Sequence, residues 1–242
     1  MFGLRRAAPV LPANLSLAGR TIPVALVRSA RARRILLRAD AVAGRIRLTL
    51  PPRVAIGTGA AFLADHAAWL EARVSSWPVP LPFVPYATIP FDGGVLYLDL
   101  APGTRRTIHD GDRLIVGGDA ATLPGRVTRW LKAAALADLT AATQVLTAQL
   151  GRAPVTVRVG DPAGRWGSCA SSGRIAYSWR LILAPPLVRA SVVAHEVAHL
   201  AHPNHGAAFW ALARDLGGDP TPHRRWLARH GAGLHWIGRS VA

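Results

Sequence analysis

Several residue types are scarce in this chain. Cysteine, methionine and lysine each occur once, and glutamate occurs twice. A single cysteine, Cys169, excludes an internal disulfide framework and is typical of proteins in a reducing compartment. No apolar run approaches the roughly 18 residues that a membrane span needs, and the N-terminal segment lacks the apolar stretch and cleavage site of a signal peptide. We therefore expect a cytoplasmic protein that does not act at a membrane.

Negative charge is also in short supply. The formal net charge is +16, from 29 basic and 13 acidic residues, and residues 1–57 contain eleven arginines but only one acidic residue, Asp40. A basic surface can attract nucleic acid or acidic partners, but it can also be a solvated surface in a protein rich in alanine and arginine. No nucleic-acid-binding motif accompanies the charge. Nucleic acid binding through the Arg-rich N-terminal part is therefore a secondary hypothesis.

The first part of the chain has the patterns of β-strands. In residues 44–50 the apolar side chains alternate with polar ones, which places Ile46, Leu48 and Leu50 on one face of a strand. Residues 57–77 have the period of one helix. Five prolines in residues 78–90 predict an extended crossing, because proline is unsuited to a helix interior or a central strand.

Helices dominate from Leu123 onward. A long Ala/Leu-rich helix is predicted to end at Gly151, residues 161–173 read as a loop, and residues 174–185 alternate as a strand does. Three shorter helices follow. We predict an α+β fold with a β-rich N-terminal region over residues 15–120 and a mostly helical region over residues 121–242, since the strands precede the helices rather than alternating with them.

The most informative motif lies in an apolar segment near the C-terminus. His195, Glu196 and His199 form the pattern H-E-x-x-H. On a helix, residues four apart project from the same face, so both imidazoles can bind one metal ion. Glu196 is next to the first histidine and can act as a general base without binding the metal. The alternative is a pair of core histidines with an unrelated glutamate, but buried ionisable groups are costly unless they are paired or bound to metal.

A catalytic zinc site usually has three protein ligands and a water. His205 is six residues after His199, which is the spacing of the third ligand in H-E-x-x-H-x-x-G-x-x-H sites, although His202 stands where that pattern has glycine. Pro203 should end the helix near Ala201, after which the chain can fold back and bring His205 to the metal. Three other residues remain as alternatives for the third ligand: His202, Asp215 and Asp219.

An ordered series of short segments resembles a known family. The segments are RWGSC at 165–169, WRLILAPP at 179–186, the H-E-x-x-H motif, and the pairs Asn204–His205 and Phe209–Trp210. Together they resemble the YgjP-like metallopeptidases, which are zincins related to the SprT and WLM groups. The resemblance covers roughly residues 20–235 and is weakest between 85 and 150.

The resemblance implies a zinc-dependent hydrolase that acts on a protein or peptide. By position it makes His195, His199 and His205 the Zn²⁺ ligands and Glu196 the catalytic residue. It also implies a zincin-like helical part in which a short β-sheet lies next to the H-E-x-x-H helix. The alternative is a nucleic-acid-associated protein, with either a SprT-like protease activity or a structural zinc.

Overall fold

The computed structural model describes residues 10–240. They form two compact units, residues 10–79 (unit 1) and residues 80–240 (unit 2). Residues 80–120, which the sequence analysis grouped with the β-rich region, pack within unit 2. The described residues form a mixed α+β structure with three sheets and six α-helices. None of the helices within residues 10–240 has both the length and the hydropathy to cross a membrane.

Unit 1 contains one four-stranded sheet with strand order β1-β2-β4-β3. The alternation in β4 has the expected result, because Ile46, Leu48 and Leu50 are all buried. Helix α1 packs on that face so closely that a Cβ on Gly59 would lie 2.9 Å from Leu50. The elements are β1 (Asn14–Leu17), β2 (Arg20–Arg28), β3 (Leu36–Asp40), β4 (Arg45–Leu50), α1 (Ile56–Asp65) and α2 (Ala67–Ser75).

The single helix predicted over residues 57–77 is divided at His66. The His66 backbone has φ −104° and ψ 14°, which is outside the helical region. Its N–H bonds to the Leu63 carbonyl, and its Nδ1 bonds to the Phe62 carbonyl at 2.8 Å. The histidine side chain thus takes the acceptor that its own backbone N–H would use in a continuous helix.

Unit 2 begins with a second four-stranded sheet, in the order β5-β6-β8-β7. Pro90 lies in β5, which is an edge strand, as expected for a residue that cannot donate to a ladder. The strands are β5 (Thr88–Phe91), β6 (Gly94–Ala101), β7 (Thr107–Asp110) and β8 (Arg113–Gly117).

The long helix α3 (Leu123–Gln149) crosses the core of unit 2. Gly151 has φ +64°, the left-handed conformation that commonly follows a helix end. The helix buries a stripe that recurs every four residues: Leu123, Val127, Leu131, Ala135, Leu139, Thr143 and Thr147.

The third sheet has the order β10-β11-β9 and corrects two expectations. Its strands are β9 (Val157–Gly160), β10 (Gly167–Cys169) and β11 (Ile175–Ser178). The predicted loop over residues 161–173 contains strand β10. The predicted strand over residues 174–185 ends at Ser178, whose hydroxyl accepts a hydrogen bond from the Arg180 N–H and starts a 3₁₀ helix over Trp179–Leu183.

Three helices complete unit 2: α4 (Pro186–Ala198), α5 (Ala207–Gly217) and α6 (Thr221–Leu234). Helix α4 ends before the predicted position near Ala201. Its last residues tighten into a turn, in which the Leu200 N–H donates to the Val197 carbonyl and the Ala201 N–H donates to the Ala198 carbonyl. Such three-residue spacing is common where a helix ends.

Candidate metal centre

Three histidine rings come together at the C-terminal end of α4. His195 lies in the last turn of α4, His199 caps the helix, and His205 lies in the connection to α5. One nitrogen from each ring lies within 4.8 Å of the others. The structure therefore brings together the three histidines that the spacing and the resemblance singled out.

The connection between α4 and α5 orients the His199 ring through a backbone carbonyl. The His199 Nδ1 lies 3.1 Å from the His202 carbonyl oxygen. Because a carbonyl can only accept, Nδ1 carries a hydrogen, and in the neutral ring Nε2 then has the lone pair that can bind a metal ion. His202 thus contributes its backbone to the site, while its ring is outside the three-histidine cluster.

The spacing of the rings fits a shared metal ion. His195 Nε2 and His205 Nε2 lie 3.2 Å apart. Two zinc–nitrogen bonds of about 2.05 Å at a tetrahedral angle separate their nitrogens by about 3.4 Å. Three imidazoles are also a common zinc donor set, so both the distance and the chemistry of the donors fit this ion.

The environment favours a neutral His195. Burial lowers the pKa of His195 to about 4, and the nearby His199, His205 and Arg224 act in the same direction. A histidine must be neutral to bind a metal. At neutral pH this ring is therefore in the form that a ligand needs.

Glu196 is buried beside the cluster, against the edge strand β10. A Cβ on Gly167 would lie 2.5 Å from Glu196 Oε1, so only glycine leaves room for the carboxylate. Burial raises the pKa of Glu196 to about 7, while the charge of Arg165 and the backbone N–H of Cys169 partly oppose that rise. A carboxyl group with this pKa can both take up and release a proton near neutral pH.

Phe209 supports all three histidine rings. It is fully buried, at 0% exposure, and its ring centroid lies 4.9 Å from His195, 4.5 Å from His199 and 4.7 Å from His205. Trp210 stacks on His205 at 5.6 Å. The resemblance includes both aromatic residues, but no local pattern predicts that they contact the histidines, because the contact joins α5 to α4.

Glu196 borders two cavities. Cavity A, of about 710 Å³, lies beside His199 and His205, and its lining includes Arg152 and the loop 168–173. Cavity B, of about 160 Å³, lies beside His195 and includes Trp166 and Arg224. Both are lined by Gly167 and Glu196. The carboxylate therefore lies where a substrate that occupies both cavities would pass.

Strand β10 offers free backbone groups to this cleft. It is an edge strand of its sheet, and the Ser178 N–H donates to the Trp166 carbonyl at 2.8 Å. Because hydrogen-bonded pairs alternate along an antiparallel ladder, Gly167 and Cys169 direct their backbone groups to the free side. The contribution of the Cys169 N–H to the environment of Glu196 agrees with this direction.

Several other acidic, thiol and hydroxyl side chains lie outside the three-histidine cluster. Asp215, Asp219 and Cys169 are not members of the three-histidine cluster within the described residues. Tyr177 is buried and its hydroxyl lies 3.0 Å from Thr143 Oγ1, which places it in the core. Burial also raises the pKa of its hydroxyl.

Comparison with protein families assigns the chain to one family. The family model of the YgjP-like metallopeptidase domain matches residues 33–230. The chain belongs to the YgjP-like metallopeptidase family. Membership of the YgjP-like family supports a metal-dependent peptidase, and with it a protein or peptide substrate. The match covers most of the chain and includes His195, Glu196, His199 and His205.

Further comparisons add little to the YgjP-like assignment. Among solved structures, the chain is similar to the metallopeptidase zymogen of Pyrococcus abyssi abylysin, with 18% sequence identity and a TM-score of 0.35. The similar part covers 38% of this chain and 93% of that one. No curated protein matches the chain.

Proposed function

We propose that this protein is a zinc metallopeptidase in which His195, His199 and His205 bind Zn²⁺ and Glu196 is the general base. The observation that carries this proposal is the convergence of three imidazole nitrogens within 4.8 Å at one end of a cleft that Glu196 also lines. Zinc held by these histidines would lower the pKa of a bound water to about 7 and polarise a substrate carbonyl.

The role of Glu196 is to move a proton. Its carboxylate takes the proton of the attacking water and gives it to the nitrogen of the leaving amine. Burial raises the pKa of this carboxyl group to about 7 in the metal-free protein, and a base works best when its pKa is near the working pH. Gly167 makes this possible by leaving space for the carboxylate at the edge of β10.

A peptide suits the cleft better than a compact molecule. The side of β10 away from β11 presents the backbone groups of Gly167 and the Cys169 carbonyl, to which an extended chain can add as a further strand. Cavities A and B both border Glu196. An extended peptide paired with β10 would place one of its bonds beside Glu196.

An unbiased peptide-library screen tests the proposal. We expect the zinc-loaded wild type to cleave peptides, and Glu196→Gln to retain zinc while its kcat falls by about 10²–10⁴-fold. The chain offers a matched control, because Glu71 is its other glutamate and belongs to unit 1; Glu71→Gln should cleave as wild type does. A wild type without bound zinc, or a fully active Glu196→Gln, contradicts the proposal.

A specific feature of unit 1 favours nucleic acid binding as a second candidate function. Arg38 of β3 lies directly opposite Arg47 of β4, on the face turned away from the buried Ile46 and Leu48. Like charges directly opposite each other destabilise a sheet, and neither arginine forms an ion pair with a residue in the described part of the chain. A phosphate backbone would neutralise both.

A salt titration of DNA binding decides this second candidate. We expect the logarithm of the affinity to fall linearly with the logarithm of the salt concentration, and Arg38→Glu and Arg47→Glu, each made singly, to weaken binding strongly. Arg73→Glu, on α2 of the same unit, makes the same change in charge and serves as the control. Absence of binding at low salt, or equal loss in the control, argues against a nucleic-acid role for this face.

A further inference from the structure

The cleft around Glu196 has an arginine in each of its two cavities. Arg152 lines cavity A and follows the left-handed Gly151 at the end of α3. Arg224 of α6 lines cavity B, and its guanidinium lies 5.3 Å from the Trp210 ring centroid. The two side chains therefore reach the site from distant parts of the chain, one in each cavity.

Neither arginine is neutralised by the protein. Glu196 is the one acidic residue in the linings of the two cavities as the structure describes them, and it is buried. Arg152 and Arg224 form no ion pair with any residue between positions 10 and 240. The pKa of Asp219, close to Arg224 in sequence, is lowered mainly by hydrogen bonds with Thr221 and to a lesser extent by Arg214 and Arg225.

The positive charge acts on the site itself. Burial raises the pKa of the Cys169 thiol, and the charge of Arg152 opposes that rise, so the guanidinium acts on the wall of cavity A. A cleft with charge of one sign and low-dielectric walls concentrates ligands of the opposite sign.

We propose that the cleft selects acidic peptides, and that Arg152 is the residue that determines this specificity by binding a carboxylate in cavity A. This inference rests on the proposed peptidase function. The carboxylate can come from a Glu or Asp side chain or from a free C-terminus, because a guanidinium binds both with the same pair of hydrogen bonds. Arg152 is a specificity residue and takes no part in the proton transfer.

Peptide binding to the full-length, zinc-loaded Glu196→Gln variant tests the inference without turnover. Fluorescent peptides of one length carry a single Glu at successive positions, each with either a free or an amidated C-terminus, and a neutral amidated peptide is the reference. We expect a Glu at one position, or the free C-terminus, to tighten binding by about tenfold or more. The position of the gain, and its survival or loss on amidation, identifies the source of the carboxylate.

Charge reversal at Arg152 tests whether this residue causes the preference for acidic peptides. In the Glu196→Gln background, Arg152→Glu should abolish the preference for acidic peptides and favour a Lys-containing peptide, and Arg152→Gln should abolish the preference alone. Arg158→Glu is the matched control, because Arg158 is an exposed arginine of β9 that lines neither cavity; this variant should keep the preference. Circular dichroism verifies that each variant is folded.

Three results would overturn the inference. The first is the absence of any preference for acidic peptides, including failure of all the peptides to bind. The second is an equal effect of Arg152→Glu and Arg158→Glu. The third is displacement of the peptide by a single-stranded oligonucleotide that binds more tightly and whose binding depends on Arg152. Cleavage by the wild type is measured separately with the same peptides. Selective binding without cleavage contradicts the proposed function, whereas cleavage without selectivity contradicts this inference alone.

Discussion

Glu196 depends on a residue that has no side chain. The 2.5 Å separation between a Cβ built on Gly167 and Glu196 Oε1 means that even alanine would push the carboxylate aside. We expect Gly167→Ala to lower kcat by about a hundredfold, because a displacement of about 1 Å at a reacting group has this effect, while zinc stays bound. Gly164→Ala is the control, since nothing lies within 4 Å of a Cβ there. Equal activities of the two variants contradict this role for Gly167.

Phe209 supports the rings that we propose as ligands. Removing a fully buried phenylalanine side chain costs about 3–5 kcal/mol, and loosening the rings should weaken zinc binding by about 10–100-fold, as loss of other groups that orient ligands does. Leu139→Ala is the comparison, because Leu139 is equally buried but belongs to the stripe on α3. We expect both variants to lose stability in denaturant titrations, but only Phe209→Ala to lose zinc affinity in a chelator competition.

At the scale of elements, Tyr177 joins β11 to α3. Its buried hydroxyl bonds to Thr143 Oγ1, which itself donates to the Leu139 carbonyl. Tyr177→Phe should therefore cost about 0.5–1.5 kcal/mol of stability, the value of one hydrogen bond, and leave kcat unchanged. A large fall in kcat without a comparable loss of stability would show that the hydroxyl serves the reaction instead.

The elements also show which parts of the structure the sequence could predict. The period-2 pattern of β4 and the Gly151 stop of α3 depend on local chemistry, and both were predicted. The break at His66 and the 3₁₀ turn after Ser178 depend on single side-chain hydrogen bonds, which a periodicity average conceals. Strand β10 was missed because three residues are too few for a pattern and its strand form depends on pairing with β11.

The residues of the site also differ in whether local sequence patterns predict their positions. One helical turn places His195 and His199 together, and Pro203 predicts the reversal that brings His205 near, so the sequence sufficed to find the three rings. Their role as ligands stays a prediction. Other features arise from contacts between distant segments, which no local pattern predicts. These are the close approach of Gly167 to Glu196, the contacts of Phe209 with the histidine rings, and the arginines that line the two cavities.

At the scale of the whole molecule, unit 2 should fold without unit 1. Its core joins β6 and β8 to α3 and α4, through residues such as Leu98, Leu114, Leu131 and Val193. We expect residues 80–242 to unfold cooperatively and to bind zinc, whereas residues 121–242 lack the strands that complete this core and should not unfold cooperatively. Circular dichroism in urea measures both. Cooperative unfolding of the shorter fragment would show that the helical region is independent of the β6–β8 sheet.

The central claim is that His195, His199 and His205 hold zinc, and metal analysis of purified variants tests it most directly. His202→Ala is the natural control, because His202 lies three residues from His205 but contributes only its carbonyl, which alanine retains. We predict one zinc per chain in the wild type and in His202→Ala, and loss of bound zinc during dialysis against a chelator in His205→Ala. Zinc that persists in His205→Ala and is lost from His202→Ala would contradict the claim.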